Sequence, residues 1–286
     1  MKLRRNEPLK RHTSLRIGGP ADYFCVPRSV AELKEALTFA RARKLPVAIM
    51  GAGTNLLALD QGFRGLVIKF AGGLTKITVR GRMVQAGAGS LLPVLVQQAL
   101  ARKLAGLEFL AGIPGTVGGA VVMNAGAWGK EIGARVARVT VLDRRGKLRT
   151  LKPSRLRFGY RQSALQKGDR LVVEVVFRLR PGRQRLIKAH ISEYLKKRQG
   201  KQPLGSPNAG SVFKNPAGKH AGKMLEEAGC KGLRFGDAQV SPKHANFIIN
   251  LGEAKARDVL KLMTRMMGRV KIKLEPELKI MVKSNL

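Results

Sequence analysis

The sequence is poor in the residues that build metal sites and covalent crosslinks. Only 2 of its 286 residues are cysteines, Cys25 and Cys230, and only 4 are histidines. The two cysteines stand far apart, and no histidine or cysteine lies at the spacing of a zinc site. A secreted fold held by disulfides would need more cysteine. We therefore expect no bound metal and a reducing compartment, which indicates the cytoplasm.

Long apolar runs are also missing. No stretch of about 18 consecutive apolar residues occurs, which is the length that a membrane-spanning helix requires. The basic segment at residues 1–12 leads into no apolar stretch of the kind found in secretory signals. We expect neither a membrane span nor a secretory signal.

Acidic residues are few in number. The chain has 18 aspartates and glutamates against 55 lysines and arginines, which leaves a formal net charge of +37. Such a charge could serve nucleic-acid binding, because basic proteins release counterions from polyanions. However, the basic residues are spread along the chain, and aromatic residues reach only 5%, which is poor for stacking on bases. The charge is therefore interpreted as a solvated basic surface of a protein whose ligands are anionic cofactors, with nucleic acid bound only incidentally at low salt.

The periodicity of the apolar residues predicts mixed helices and strands. Helical spacing recurs in five places: 29–44, where Ser29 and Glu32 form a capping box, 90–104, the middle of 180–201, 221–228 and 253–267. Short apolar runs predict strands over 45–50, 65–70, 139–142, 147–151, 171–179 and 247–250, with a hairpin over 78–86. Because strands and helices do not alternate regularly, we expect an α+β fold and not a doubly wound sheet. The densely basic segment 180–201 has helical spacing at Leu186, Ile187, Ile191 and Leu195, and is interpreted as a linker and a helix that lead into a second domain.

Two glycine-rich passages indicate a dinucleotide cofactor. The first, Gly51–Leu57 (GAGTNLL), follows a predicted strand and begins like a Rossmann fingerprint. Leu56 occupies the place of the third glycine and no helix follows, so we interpret the passage as a backbone nest for phosphate oxygens. The second, Gly112–Ala127 (GIPGTVGGAVVMNAGA), holds four glycines within eight residues, which lets a ligand approach the backbone closely.

Six passages, taken together, resemble the UDP-N-acetylenolpyruvoylglucosamine reductase (MurB-type) family. They are the two glycine-rich passages, Tyr160–Ser163 (YRQS), Ala209–Pro216 (AGSVFKNP), Ala238–Phe247 (AQVSPKHANF) and Leu274–Leu278 (LEPEL). Each motif is moderately specific, whereas all six in order over nearly the whole chain are highly specific. The short step from Arg161 to the strand at Leu171 resembles the shorter subclass of the family, which lacks an inserted loop over the substrate.

The resemblance implies both a fold and an activity. Residues 1–182 would form an FAD-binding domain of the vanillyl-alcohol-oxidase (PCMH) type in two lobes, about 1–70 and 71–182, and residues 183–286 a smaller α+β substrate-binding domain. The implied reaction reduces the enolpyruvyl group of UDP-N-acetyl-3-O-(1-carboxyvinyl)-glucosamine to UDP-N-acetylmuramate, in peptidoglycan precursor synthesis. FAD would be held noncovalently, since no residue suggests a covalent attachment, and NADPH would donate the hydride. A monomer is favoured.

The resemblance also implies the residues of the site. Arg161 would bind the substrate carboxylate, Glu277 would donate to its other oxygen, and Ser211 would protonate the carbanion. Substrate contacts are expected from Tyr160, Lys201, Lys214 and Asn215. The expected FAD contacts are Gly51, Ala52, Gly53, Thr54, Asn55, Gly112, Ile113, Pro114, Gly115, Thr116, Gly118, Gly119, Asn124, Ala125 and Gly126. His244 is interpreted as structural.

Two alternatives remain open from the sequence. An FAD-dependent oxidase of the same superfold, acting on an alcohol or a sugar, should lack the Ser211 and Glu277 pair. A basic nucleic-acid-binding protein could occupy a degenerate enzyme scaffold, although intact Arg161, Ser211 and Glu277 argue against degeneration.

Overall fold

The computed structural model describes residues 1–143 and 145–282. In chain order the strands are β1 (Leu3–Pro8), β2 (Pro20–Cys25), β3 (Val47–Met50), β4 (Leu56–Leu57), β5 (Phe63–Lys69), β6 (Ile77–Arg80), β7 (Met83–Gly87), β8 (Leu104–Ala105), β9 (Gly126–Ala127), β10 (Lys130–Glu131), β11 (Val136–Asp143), β12 (Leu148–Leu151), β13 (Arg170–Arg178), β14 (Arg180–Pro181), β15 (Asn208–Ser211), β16 (Arg234–Phe235), β17 (Ala238–Val240), β18 (Phe247–Asn250) and β19 (Lys279–Ile280). The α-helices are α1 (Val30–Ala42), α2 (Leu92–Ala101), α3 (Val117–Val122), α4 (Gln184–Lys201), α5 (Ala221–Glu227) and α6 (Ala256–Gly268).

Two sheets organise the N-terminal part of the chain. The first has the strand order β1-β2-β5-β3, in which only the β1–β2 pair is antiparallel. The second is antiparallel throughout, with the order β12-β11-β13-β7-β6. Apolar side chains of both sheets and of helices α1 and α2 share one core. The two predicted lobes are therefore joined by a continuous interior.

Local signals in the sequence locate the first helix well. Ser29 caps α1 by accepting a hydrogen bond from the Glu32 backbone N–H at 3.1 Å. In a capping box the Glu32 carboxylate would accept from the N–H of Ser29. Here it accepts from the N–H of the preceding residue, Arg28, at 2.8 Å. The apolar stripe that predicted this helix is buried, as Leu33 and Leu37 illustrate.

A third sheet forms the C-terminal part. It is antiparallel, with the order β15-β18-β17-β16, and helix α6 packs on it through the buried Val259, Leu262, Met263 and Met266. Met263 and Met266 of α6 thus belong to the core. The helix begins at Ala256, three residues later than the predicted start, because the Asp60 carboxylate accepts from the backbone N–H of Ala256 at 2.7 Å.

Helix α4 packs against the N-terminal core and not against the third sheet. Its buried residues Ile187, Ile191 and Tyr194 lie in the same core as the first two sheets. Leu186 and Leu195, part of the spacing that predicted the helix, are instead 49% and 44% exposed. The predicted domain division after residue 182 stays a prediction, and α4 itself adjoins the first unit.

The last strand returns the chain to the first glycine-rich passage. β19 pairs in parallel with β4, so Lys279 lies opposite Leu56. Leu15, Ile17 and Leu57 of the N-terminal part complete the apolar core beneath the third sheet. Across the described ranges, no helix is long and apolar enough to cross a membrane. Mixed helices with largely antiparallel sheets confirm the α+β class.

Candidate active site

A cavity of about 1210 Å³ lies where the glycine-rich passages meet β15 and the C-terminal segment. This volume exceeds the roughly 300–1,000 Å³ of ordinary small-molecule pockets, so a dinucleotide together with part of a second ligand can be accommodated. All the predicted FAD contacts except Asn124 line this cavity. So do the three predicted catalytic residues, Arg161, Ser211 and Glu277.

The two glycine-rich passages form one cradle. The Thr54 hydroxyl donates to the carbonyl of Pro114 at 3.0 Å. A Cβ atom on Gly51 would stand 2.5 Å from the Thr116 Oγ1, so only glycine allows this approach. In the part of the chain that the structure describes, the backbone N–H groups of Ala52 and Gly53 donate to no protein acceptor. Free N–H groups in a tight turn suit the phosphate oxygens of FAD, and the cradle therefore fits that cofactor.

Asn124 lies behind the cavity wall and not on it. It is fully buried, with φ +44°, and its amide donates to the carbonyl of Gly159 at 2.9 Å and to the Glu131 carboxylate at 2.7 Å. Its Oδ1 accepts from the N–H of Gly133 at 2.9 Å. Asn124 therefore holds the turn that presents Tyr160 and Arg161. The predicted contact between Asn124 and FAD stays a prediction.

Arg161 and Glu277, 116 positions apart in the chain, form a largely buried ion pair. The Arg161 Nε donates to the Glu277 Oε1 at 2.6 Å, and the two side chains are 20% and 15% exposed. A second guanidinium nitrogen donates to the carbonyl of Gly126 at 3.1 Å. Burial raises the pKa of the Glu277 carboxyl above its ordinary value, although the Arg161 charge acts in the opposite direction. The site thus combines a fixed cation with a carboxyl group that burial makes harder to ionise.

Ser211 ends β15 on the cavity wall. Among the described residues, its hydroxyl has no hydrogen-bond partner, so it is free to face a ligand. The backbone on either side is fixed, since the Val212 carbonyl accepts from the N–H of Glu277 at 2.8 Å. Ser211 and Glu277 therefore lie on neighbouring segments that are directly hydrogen-bonded.

Asn246 supports this arrangement, and sequence reasoning did not single it out. Its amide donates to the Phe213 carbonyl at 2.8 Å and accepts from the Phe213 N–H at 2.9 Å. Its own carbonyl accepts from the N–H of Val212 at 2.9 Å. The only available signal was its position within the passage Ala238–Phe247.

The predicted substrate-binding residues connect the passages around the cavity but do not line it. The Tyr160 hydroxyl accepts from the backbone N–H of Asn215 at 3.2 Å, which joins the Arg161 turn to the segment after Ser211. Asn215 Oδ1 in turn accepts from the N–H of Ala221 at the start of α5. Lys214 Nζ donates to Glu275 at 2.9 Å.

The remaining predicted residues lie apart from the reacting groups. Lys201 is exposed at the end of α4. His244 packs edge-on against Phe247, and its Nδ1 accepts from the N–H of Asn246 at 3.1 Å. Burial lowers the pKa of the His244 imidazole, so this side chain stays neutral near neutral pH. These contacts agree with a structural role for His244.

Ser14 is a further connecting residue that the sequence did not reveal. Its hydroxyl donates to the Asn208 carbonyl at 2.6 Å and contacts the Gly53 carbonyl at 3.3 Å. The Ser14 N–H also donates to the Gly53 carbonyl at 3.0 Å. Ser14 thereby couples the first glycine-rich passage to the strand that carries Ser211.

Comparison with known proteins agrees with this geometry. A family model described as the UDP-N-acetylenolpyruvoylglucosamine reductase C-terminal domain matches residues 202–283, and one described as an FAD binding domain matches residues 21–152. The UDP-N-acetylenolpyruvoylglucosamine reductase 2 of Symbiobacterium thermophilum is 50% identical over 283 residues, which cover 98% of this chain and 92% of that protein. The reductase of Moorella thermoacetica is 50% identical over 260 residues, or 91% of this chain and 85% of that protein.

A solved structure extends the similarity to three dimensions. The crystal structure of the reductase (MurB) from Thermus caldophilus superposes with a TM-score of 0.87 at 40% identity, covering 98% of this chain and 99% of that one. The predicted combination of an FAD-binding domain and a reductase C-terminal domain is confirmed. This chain belongs to the UDP-N-acetylenolpyruvoylglucosamine reductase family.

Proposed function

We infer that this chain is an FAD-dependent, NADPH-oxidising reductase of the enolpyruvyl group of UDP-N-acetyl-3-O-(1-carboxyvinyl)-glucosamine. Its product is UDP-N-acetylmuramate, so the enzyme serves peptidoglycan synthesis and, through it, cell shape and division. The observation that carries the assignment is the convergence of Arg161, Ser211 and Glu277 on one cavity with the glycine cradle. The oxidase and nucleic-acid alternatives are not favoured, because reductases match over 98% of the chain.

The cradle would hold the cofactor by its phosphates. The unbonded backbone N–H groups around Ala52 and Gly53 would donate to the diphosphate oxygens, and the absent Cβ of Gly51 leaves room for close contact. When bound and reduced by NADPH, FAD supplies a hydride to the terminal vinyl carbon of the substrate. The chain's own residues then manage the charge and the proton that this addition requires.

Arg161 is proposed to receive the substrate carboxylate. Hydride addition leaves negative charge on the adjacent carbon, and this charge spreads into the carboxylate. A guanidinium held in place by the Gly126 carbonyl can bind both carboxylate oxygens once its Nε is free of Glu277. Glu277, in its protonated form, donates a further hydrogen bond to the same carboxylate and releases Arg161 from the present ion pair.

Ser211 is proposed to deliver the proton to the carbanion. Its hydroxyl lines the cavity and has no other partner in the described residues, and its backbone is fixed through Val212. Serine is a weak acid, but a positioned hydroxyl can protonate a strongly basic carbon. Tyr160, Lys214 and Asn215 would hold the UDP-sugar where the Arg161 turn contacts the segment that follows β15. Lys201 would lie nearer the diphosphate of the UDP-sugar.

The proposed location follows from the ligands. A UDP-sugar and NADPH are cytoplasmic metabolites, and we propose that the enzyme acts in the cytoplasm as a monomer. The domain division proposed is an FAD-binding part up to residue 182 and a substrate-binding part from residue 183. The charge of +37 would draw anionic substrates toward the cavity.

The cofactor should be bound without a covalent link. Acid precipitation of the purified yellow protein is expected to release the flavin into the supernatant as FAD, because the cradle offers backbone contacts and no attachment residue. Absorbance spectra and chromatography of the supernatant and the pellet measure the outcome. Flavin that stays with the pellet, or a protein that takes up no FAD, would contradict the proposal.

The substrate half-reaction should depend on the protonation of Glu277. Burial raises its pKa, so the carboxyl remains protonated at pH values where an ordinary glutamate is ionised. The reoxidation of flavin by substrate is expected to be fastest below this pKa and to slow as the pH rises through it. Glu277→Gln should be slower throughout and should lose this pH dependence.

Stopped-flow absorbance over a pH series tests the assignment. The reduction of flavin by NADPH serves as the internal control, since it requires no proton from Glu277. An unchanged pH profile in Glu277→Gln would assign the titration to another group.

A further inference from the structure

One cationic side chain of the cavity has no counter-charge. The Arg198 Nε is buried and has no hydrogen-bond partner, and no ion pair involves this residue in the described part of the chain. Desolvation lowers the pKa of its guanidinium, and no carboxylate acts against that effect. A buried cation without a partner is costly, so a protein retains one where a ligand supplies the missing anion.

The position of Arg198 places this charge at the cofactor cradle. Arg198 stands in the last turn of α4 and lines the cavity. A Cβ atom on Gly112 would come within 3.1 Å of Arg198 Cδ and 3.2 Å of Nε. The arginine stem therefore lies directly against the first residue of the second glycine-rich passage, which has φ +73° there.

Gln202, one turn beyond, carries a second unsatisfied group. Its Oε1 is buried without a partner, and its backbone N–H donates to the Arg198 carbonyl at 2.9 Å. Both side chains line the same cavity. The end of α4 therefore presents to one cavity a donor that lacks an acceptor and an acceptor that lacks a donor, as expected where one ligand offers both a phosphate and a hydroxyl group.

We propose that the end of α4 is a cofactor subsite, in which Arg198 donates to the diphosphate of FAD and Gln202 accepts from one of its hydroxyl groups. The inference rests on the proposed function, which requires FAD in this cavity. Of the phosphate ligands, the resident cofactor fits best. NADPH and the UDP-sugar leave in every turnover and would expose the buried cation each time, whereas FAD keeps it paired.

Two substitutions separate ligand binding from structure. Arg198→Met should weaken FAD binding roughly 10- to 100-fold, the worth of a charge-assisted hydrogen bond. It should not lower the melting temperature of the flavin-free protein, because it removes a buried charge that has no partner. Gln202→Glu should place a carboxylate beside Arg198, which weakens FAD binding by repulsion and raises the melting temperature of the flavin-free protein.

The measurements are FAD release on dilution of the full-length holoenzyme, followed by flavin fluorescence, and thermal melting with and without FAD. Arg185→Met is the matched control, since Arg185 is an exposed residue of the same helix and carries the same charge. FAD affinity in Arg198→Met equal to that of the control would overturn the proposal. So would a lower melting temperature of its flavin-free form, which would make Arg198 structural.

The remaining outcomes distinguish the sources of phosphate. If Arg198→Met kept its FAD affinity but raised the KM for NADPH or the UDP-sugar, the FAD assignment would be overturned. Arg198 would then bind a phosphate of the substrate whose KM rose. A wild-type protein that binds no FAD would refute the proposed function itself, which is a different result from normal FAD binding in Arg198→Met.

Discussion

Ser211→Ala is expected to separate the two half-reactions of the enzyme. The reduction of flavin by NADPH should keep its rate, because it needs no proton delivered to a substrate carbon. The reoxidation of flavin by the enolpyruvyl substrate should slow by about 10²–10⁴-fold, the usual contribution of a positioned acid. Ser211→Cys should recover part of the rate, since a thiol at the same place can also donate a proton. Stopped-flow absorbance of each half-reaction measures both effects.

A neighbouring serine provides the control for this experiment. Ser206 also lines the cavity, five residues before Ser211, and Ser206→Ala should leave both half-reactions nearly unchanged. If Ser211→Ala slowed both half-reactions equally, Ser211 would be holding the flavin or the fold. If it slowed neither, the proton would come from another group.

Arg161→Lys is expected to cause the second large loss. Lysine keeps the positive charge beside Glu277 but lacks the planar fork that binds a carboxylate through two hydrogen bonds. It also loses the bond that now fixes the guanidinium to the carbonyl of Gly126. The substrate half-reaction should therefore slow by about 10²–10³-fold, as when one preorganised donor to a developing charge is removed. Flavin reduction by NADPH should be far less affected.

Arg157→Lys is the matched control for that substitution. Arg157 is exposed and shares the left-handed backbone of Arg161, with φ +46° against +52°. The control measures what a lysine does to the protein merely by standing in left-handed backbone. Any further loss in Arg161→Lys then comes from the missing guanidinium in the site. A substrate half-reaction of normal rate in Arg161→Lys, measured by stopped flow, would remove Arg161 from the proposed role.

Local interactions explain why much of the fold could be predicted. Helix α1 follows its cap at Ser29, and the hairpin of β6 and β7, predicted over 78–86, turns at Gly81 with φ +55°. Helix α5, predicted over 221–228, is followed by Gly229 with φ +65°. Each of these features depends on residues a few positions apart, so the chain encodes it without reference to the tertiary structure.

The predictions were incomplete where contacts with distant segments of the chain decide the structure. The apolar spacing of α4 included Leu186 and Leu195, yet the buried face is Ile187, Ile191 and Tyr194, because the helix rests on the N-terminal core. Helix α6 starts late because Asp60, far away in sequence, caps it. Asn124, predicted from its glycine-rich passage to contact the cofactor, is fully buried because its amide donates to the distant Gly159 carbonyl.

The sequence by itself determined the family, the α+β class and the two glycine-rich passages, since motifs and periodicity are properties of contiguous residues. It also named Arg161, Ser211 and Glu277, though only through the resemblance. Tertiary structure alone brought Arg161 within 2.6 Å of Glu277 and buried the pair, which sets the pKa of that carboxyl. It alone left the Arg198 Nε buried without a hydrogen-bond partner. Distance and desolvation arise from the folded chain, and no local pattern of residues encodes them.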